Sequence, residues 1–150
     1  NNIMNKKIAL SIILLILLIS MVFSMTACMD STTEYEEKEG YSRLQDIRIR
    51  DICVLVDDGK YYMYGMYPCS VEDGGYACYI SEDLEYWEGP YDVFLKDWHP
   101  EFEGTSCYWA PECHYYNGSY YLFATYQSAE TGKRGTSIFK ADNPLGPFKE

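Results

Sequence analysis

The chain has 150 residues and a formal net charge of −11, from 12 Lys and Arg against 23 Asp and Glu. That balance excludes nucleic acid as a partner, since a polyphosphate would be repelled, and leaves neutral or basic ligands. Aromatic residues make up 17%, with 16 Tyr, 3 Trp and 6 Phe, a supply that suits β-sheet faces and also surfaces that take hydroxyl-rich ligands such as a neutral polysaccharide.

At the start of the chain, Lys6-Lys7 precedes an uncharged, mostly apolar run from Ile8 to Ala27, the layout of an export signal. The run ends in Met25-Thr26-Ala27-Cys28, which resembles the lipobox of bacterial lipoproteins, where the cysteine becomes the lipidated first residue of the mature protein. Residues 1–27 are therefore expected to be a lipoprotein-type signal peptide, and Cys28 the lipidation site. An uncleaved membrane anchor is the alternative, since about 20 apolar residues can span a bilayer. The expected location is extracytoplasmic, on the cell membrane through a lipid anchor, with secretion or an uncleaved amino-terminal helix as alternatives. Asn1-Asn2-Ile3 stand before Met4, as in an untrimmed reading frame whose start is Met4. Residues 28–40 are dominated by Asp, Ser, Thr and Glu, too polar to pack, and read as a linker. Loss of Lys6 and Lys7 with the signal removes two positive charges and leaves about −13 on the remainder.

The folded part is expected over residues 41–150. Within it, Asp51 to Tyr67 reads as a β-hairpin whose turn is Asp58-Gly59, a pair suited to the type I′ geometry because both positions need positive φ. The pattern returns from Glu112 to Tyr126 with Asn117-Gly118 as the turn, an offset of 59 residues between Asp58 and Asn117. Tyr79-Ile80-Ser81 is echoed by Phe139-Lys140-Ala141, and Gly89-Pro90-Tyr91 by Gly146-Pro147-Phe148. A repeat of this length, made of short strands and turns, predicts an all-β fold: a β-propeller with four-stranded blades, of which two are visible.

If Cys28 carries lipid, five cysteines remain, so at least one is free; Cys69 and Cys78 flank a Gly-rich turn and could be bridged. No spacing suits a zinc site, and Cys107, Cys113 and His114 read as strand residues. Asp57-Asp58 falls short of the oxygens that calcium requires. Trp87 reads as packed between blades, His99 as a loop residue, and Asn117-Gly118-Ser119 as a hairpin turn rather than a glycosylation site.

Ile47-Arg48-Ile49-Arg50-Asp51 leads into the first hairpin. The first strand of a propeller blade lines the central channel, so a carboxylate at its start faces the ligand funnel, which makes Asp51 the catalytic candidate; a surface carboxylate paired with Arg48 or Arg50 is the alternative.

At the matching place of the second repeat stands Trp109-Ala110-Pro111-Glu112. With Ile49-Arg50-Asp51, Val56-Asp57-Asp58-Gly59-Lys60-Tyr61-Tyr62, Ile80-Ser81-Glu82-Asp83-Leu84-Glu85-Tyr86-Trp87, and Asp142-Asn143-Pro144-Leu145-Gly146-Pro147-Phe148, it makes the chain resemble the amino-terminal part of a family 43 glycoside hydrolase. The resemblance covers nearly everything after residue 46. It implies a five-bladed propeller acting on arabinose- or xylose-containing plant cell-wall polysaccharides or oligosaccharides with inversion, Asp51 as general base, and Trp109 and Glu112 at the pocket edge. Ile52 follows Asp51 where the family usually has proline. The general acid and the carboxylate that tunes it lie in later blades of the family, so residues 41–150 are expected to be a partial domain, inactive alone. No cofactor is evident, although calcium is possible in the complete propeller. A carbohydrate-binding or adhesion lipoprotein on the same scaffold, without catalysis, is the competing reading.

Overall fold

The computed structural model describes residues 37–66 and 74–150. The signal segment, Cys28, Cys69 and the first part of the linker lie outside the described residues.

Among the described residues, eight strands form two antiparallel sheets: β1 (Tyr41–Arg43), β2 (Arg50–Asp57), β3 (Lys60–Met66), β4 (Gly75–Ser81) and β5 (Tyr86–Leu95) in the first, β6 (Gly104–Tyr116), β7 (Ser119–Ser128) and β8 (Arg134–Ala141) in the second. The spatial order is β1-β5-β4-β3-β2 and β6-β7-β8. Each sheet is a propeller blade with β2 or β6 at its inner edge. The first blade exceeds the four expected strands because β1 adds to β5, with Tyr41 opposite Glu88. The second has three strands, followed by a bridge between Lys140 and Lys149 where the fourth would begin.

The turns explain the hairpins. Asp58 and Gly59 have φ of 45° and 73°, and Asn117 and Gly118 have 49° and 82°, the positive pairs that a type I′ turn requires. Register agrees with the repeat: Tyr61 faces Ser81 in the first blade as Tyr120 faces Ala141 in the second. Between β4 and β5, the Ser81 hydroxyl accepts from the Leu84 N–H at 2.8 Å, and the Asp83 carboxylate accepts from the Glu85 and Tyr86 N–H groups at 2.8 Å each. Those bonds stabilise the charged carboxylate and hold Asp83 below its ordinary pKa.

One hydrophobic cluster joins the blades. Tyr62, Tyr64, Tyr76 and Phe94 of the first pack with Cys113, Leu122 and Phe139 of the second. Tyrosine serves here as an apolar body with a polar tip, since buried hydroxyls must find acceptors. Tyr64 donates to the Pro144 carbonyl at 2.6 Å, Tyr76 to the Thr125 carbonyl at 2.7 Å, and Tyr120 to the Asp57 carboxylate at 2.5 Å. Burial pushes the Cys113 thiol up to about 12, so it packs as a neutral group. Cys53, Cys78, Cys107 and Cys113 are free thiols, so the bridge that Cys78 could have made to Cys69 is not formed, and Cys78 is buried. Trp87 is buried in the first sheet, its Nε1 donating to the Leu84 carbonyl at 3.2 Å, and stands outside the cluster that joins the blades.

Candidate active site

Both inner strands carry the same irregularity. In β2 the pairing jumps from Arg50–Met66 to Cys53–Tyr64, so Asp51 and Ile52 together oppose the single residue Gly65. In β6 it jumps from Trp109–Thr125 to Glu112–Phe123, so Ala110 and Pro111 oppose Ala124. Each is a β-bulge, the device that re-aims a side chain beside functional sites. Gly65 permits the first: a Cβ there would lie 2.4 Å from Ile49 Cγ1 and 2.9 Å from the Arg50 carbonyl oxygen.

The bulge puts Asp51 in the left-handed region, at φ 51°, and its counterpart Ala110 at 47°. A non-glycine residue there costs on the order of 1–3 kcal/mol, and such residues concentrate at functional sites. The Asp51 side chain is exposed at the start of the strand. Ile52 stands where the second repeat has Pro111, and both are passed over by the ladder. A proline is tolerated at such a position because the N–H is not needed for pairing, so isoleucine changes no ladder bond at Asp51.

Trp109 is half-buried, with the Arg134 guanidinium 4.0 Å above its ring centroid. Delocalised charge on a planar group stacks well on indole, and the pair fixes the ring's orientation. Beside it, Gln127 faces Arg134 across β7 and β8, and its Oε1 accepts from Cys107 Sγ at 3.3 Å. Arg134 and Gln127 escape a reading of the sequence, because they lie 25 and 18 positions beyond Trp109 and belong to no local motif.

Glu112 stands on the same face of the sheet as Trp109, since their partners Phe123 and Thr125 are two positions apart in β7. Its carboxylate is exposed, pairs with His114 Nε2 at 3.0 Å, and lines a shallow groove of roughly 730 Å³ with Tyr116, Tyr121, Phe123 and Ile138 on the outer face of the second blade. The geometry thus groups Glu112 with His114 and Phe123, and Trp109 with Arg134. Among the described residues no group of three or more His, Cys, Asp or Glu is placed to hold a metal ion, so the expectation of calcium finds no ligand set there.

Asp51 can therefore present a carboxylate to a water molecule at the inner edge of one blade, while Trp109 presents an immobilised aromatic surface from the other. Residues 45–150 match the sequence profile of glycosyl hydrolases family 43. Among solved structures, the chain is similar to an endo-arabinase from Bacteroides thetaiotaomicron, with 33% identity, a TM-score of 0.63, and 75% of this chain and 37% of that one covered. A thermostable family-43 glycoside hydrolase aligns with 27% identity and a TM-score of 0.57, over 67% of this chain and 31% of that one. A family-43 enzyme from Xanthomonas citri, solved with xylose, aligns at 21% identity with a TM-score of 0.58, over 73% and 34%, a likeness of fold. The chain thus spans about a third of the length of these structures. None of the curated proteins compared matches the chain significantly.

Proposed function

The chain belongs to glycosyl hydrolase family 43, and from that membership we propose that the protein hydrolyses arabinose- or xylose-containing glycans by inversion, with Asp51 as the general base. The observation that supports this most is the strained backbone of Asp51, held at φ 51° in a bulge that the second blade repeats with an alanine. In an inverting reaction Asp51 takes a proton from water, the water oxygen attacks the anomeric carbon, and the departing glycosyl oxygen receives a proton from a carboxylic acid about 6.5–9.5 Å away. The family resemblance assigns that acid to a later blade. Residues 1–150 alone are then expected to lack turnover, since a missing general acid alone costs about 10²- to 10⁴-fold. The substrate class is supported by the family membership, by the endo-arabinase among the similar structures, and by a negative charge that favours a neutral glycan over an anionic one.

The test uses the complete product of the gene with aryl arabinofuranosides and xylosides. An aryl leaving group departs with little help from an acid, so Asp51→Asn isolates the base. We expect a loss of about 10²- to 10⁴-fold in kcat, and partial recovery in azide with a glycosyl azide of inverted configuration as product. Unchanged turnover in the variant removes Asp51 from the mechanism; binding of oligosaccharide without turnover by the wild type favours a carbohydrate-binding protein.

We further propose that lipidated Cys28 tethers the protein to the outer side of the cell membrane, supported by the apolar run before it. In cells given labelled palmitate, the wild type should incorporate label and Cys28→Ala should not; label retained by the variant overturns the proposal.

A further inference from the structure

Asp51 and the turn that follows β5 stand at the same end of the first sheet. Arg50 is opposite Met66, Met66 opposite Tyr76, and Gly75 opposite Leu95, so β2 starts at the end where β5 stops. From Leu95 the chain makes a short 3-10 turn at Lys96–Trp98 and crosses to Gly104, the first residue of β6. Three strand spacings separate β2 from β5, about 14 Å in the usual sheet geometry. One glycosyl unit cannot span that distance, and a short oligosaccharide can.

The crossing is firmly held. The Lys96 N–H donates to the Gly74 carbonyl at 3.0 Å, the Phe102 N–H to the His99 carbonyl at 3.0 Å, and Lys96 Nζ to the His99 carbonyl at 2.9 Å. Within it, two adjacent residues are placed against their polarity. His99 is turned inward, its ring stacked on Phe94 and its Nε2 buried without a partner, while Trp98 is 44% exposed. An indole gains more from burial than an imidazole does, so this order works against stability. Positions that break such a rule concentrate at functional sites. Trp98 lies on the rim, beyond the strand ends. Further blades pack against sheet faces, so they leave the rim open.

We propose that Trp98 is a sugar-binding platform for a distal unit of the glycan whose scissile bond lies at Asp51. The chemistry suits a neutral pentose oligosaccharide. The indole face takes the C–H face of a sugar ring, and the exposed carboxylates of Asp97 and Glu101 on the same crossing can accept from its hydroxyls. A turn already fixed by its own hydrogen bonds presents the ring with little ordering left to do. The proposal takes its substrate class from the hydrolase reading. It adds a dependence on chain length, since only an oligosaccharide that reaches from β2 to the end of β5 gains the contact.

The test compares the complete product of the gene with its Trp98→Ala and Trp98→Phe variants on an aryl arabinofuranoside, an aryl xyloside, linear arabinohexaose and xylohexaose. The readout is kcat/KM on a hexaose divided by kcat/KM on the aryl glycoside of the same sugar, so a general loss of fold or turnover cancels. In Trp98→Ala that ratio should fall about 10- to 100-fold, as for loss of a well-packed aromatic contact, with the change in KM. Trp98→Phe should keep most of the ratio, and the sugar that shows the fall identifies the glycan. A ratio unchanged in Trp98→Ala for both sugars overturns the proposal. So does a Trp98→Phe variant no better than Trp98→Ala, or a wild type that takes aryl glycosides and neither hexaose. If the wild type turns over none of the four substrates, the hydrolase reading fails and the platform is judged by calorimetric titration with the two hexaoses. Binding lost in Trp98→Ala then upholds it, and binding absent from the wild type or equal in the variant overturns it.

Discussion

At the scale of single residues, the backbone that Asp51, the proposed general base, adopts works against stability. Its left-handed φ of 51° gains nothing for the ladder, which passes it over, and an aspartate at this φ is strained where a glycine is not. Asp51→Gly should therefore raise the stability of the chain, by about 0.5–1 kcal/mol once the added flexibility of the unfolded state is subtracted, and abolish turnover in the complete protein. Asp51→Asn, which tolerates the same conformation, should leave stability nearly unchanged. Urea midpoints at a fixed slope measure both. A destabilised glycine variant means that the Asp51 side chain holds the bulge together instead of tolerating it. Trp109 is a gentler case: its orientation is supplied by a stacked guanidinium from β8, so the aromatic surface is organised without backbone strain at its own position.

Individual strands and turns divide into those that local chemistry dictates and those that only the assembled sheet does. The two hairpins belong to the first kind. Gly59 and Gly118 sit at φ 73° and 82°, with nothing within 4 Å of the place a Cβ would take, so replacing either by alanine adds backbone strain and no clash. Gly59→Ala and Gly118→Ala should each cost about 1 kcal/mol, alike because the turns are alike, as read from thermal or urea unfolding; unequal costs mean that one turn is held by contacts beyond its own geometry. This is why the hairpins, the repeat and the propeller class could be read from residue order: Asp-Gly and Asn-Gly state their φ requirement in their own identity. Glu112 could not be read so. Side chains alternate along a strand, so three positions should separate Trp109 and Glu112 to opposite faces. The bulge at Ala110-Pro111 instead inserts a residue and shifts the phase, and their partners Thr125 and Phe123 put both on one face. Nor could β1: Tyr41-Ser42-Arg43 has no periodic pattern, and its place beside β5 depends on a strand more than 40 residues away. The stacking of Arg134 on Trp109 is likewise a product of the β6-β7-β8 sheet and of no local motif.

For the molecule as a whole, the described residues make one compact unit, tied by tyrosine hydroxyls and by the backbone bond from Phe148 N–H to the Val93 carbonyl at 2.9 Å. Its response to acid should be cooperative and one-sided. Desolvation lowers the pKa of His99, whose ring stacks on Phe94 at 4.8 Å and whose Nε2 is buried without a partner. Hydrogen bonds from Tyr126 and Ser128 hold Glu103 low, and the backbone bonds to Asp83 do the same. All three groups bind protons more weakly when folded than when unfolded, so the unfolded state takes up more protons as the pH falls and stability is lost. For His99 that loss begins near its unfolded value of 6.5 and ends at its lowered folded value; for Glu103 and Asp83 it begins near 4.5 and 3.8. The midpoint of urea unfolding should therefore be highest above pH 7, decline in a first step between pH 7 and 5, and decline again below pH 4.5. His99→Gln assigns the first step. The variant loses the ring stacking and should be less stable at pH 8, yet its midpoint should hardly change from pH 7 to pH 5, because no group remains at that position to titrate. If the variant keeps the slope of the wild type, the protons are taken up elsewhere and the stacked imidazole has no part in the acid response.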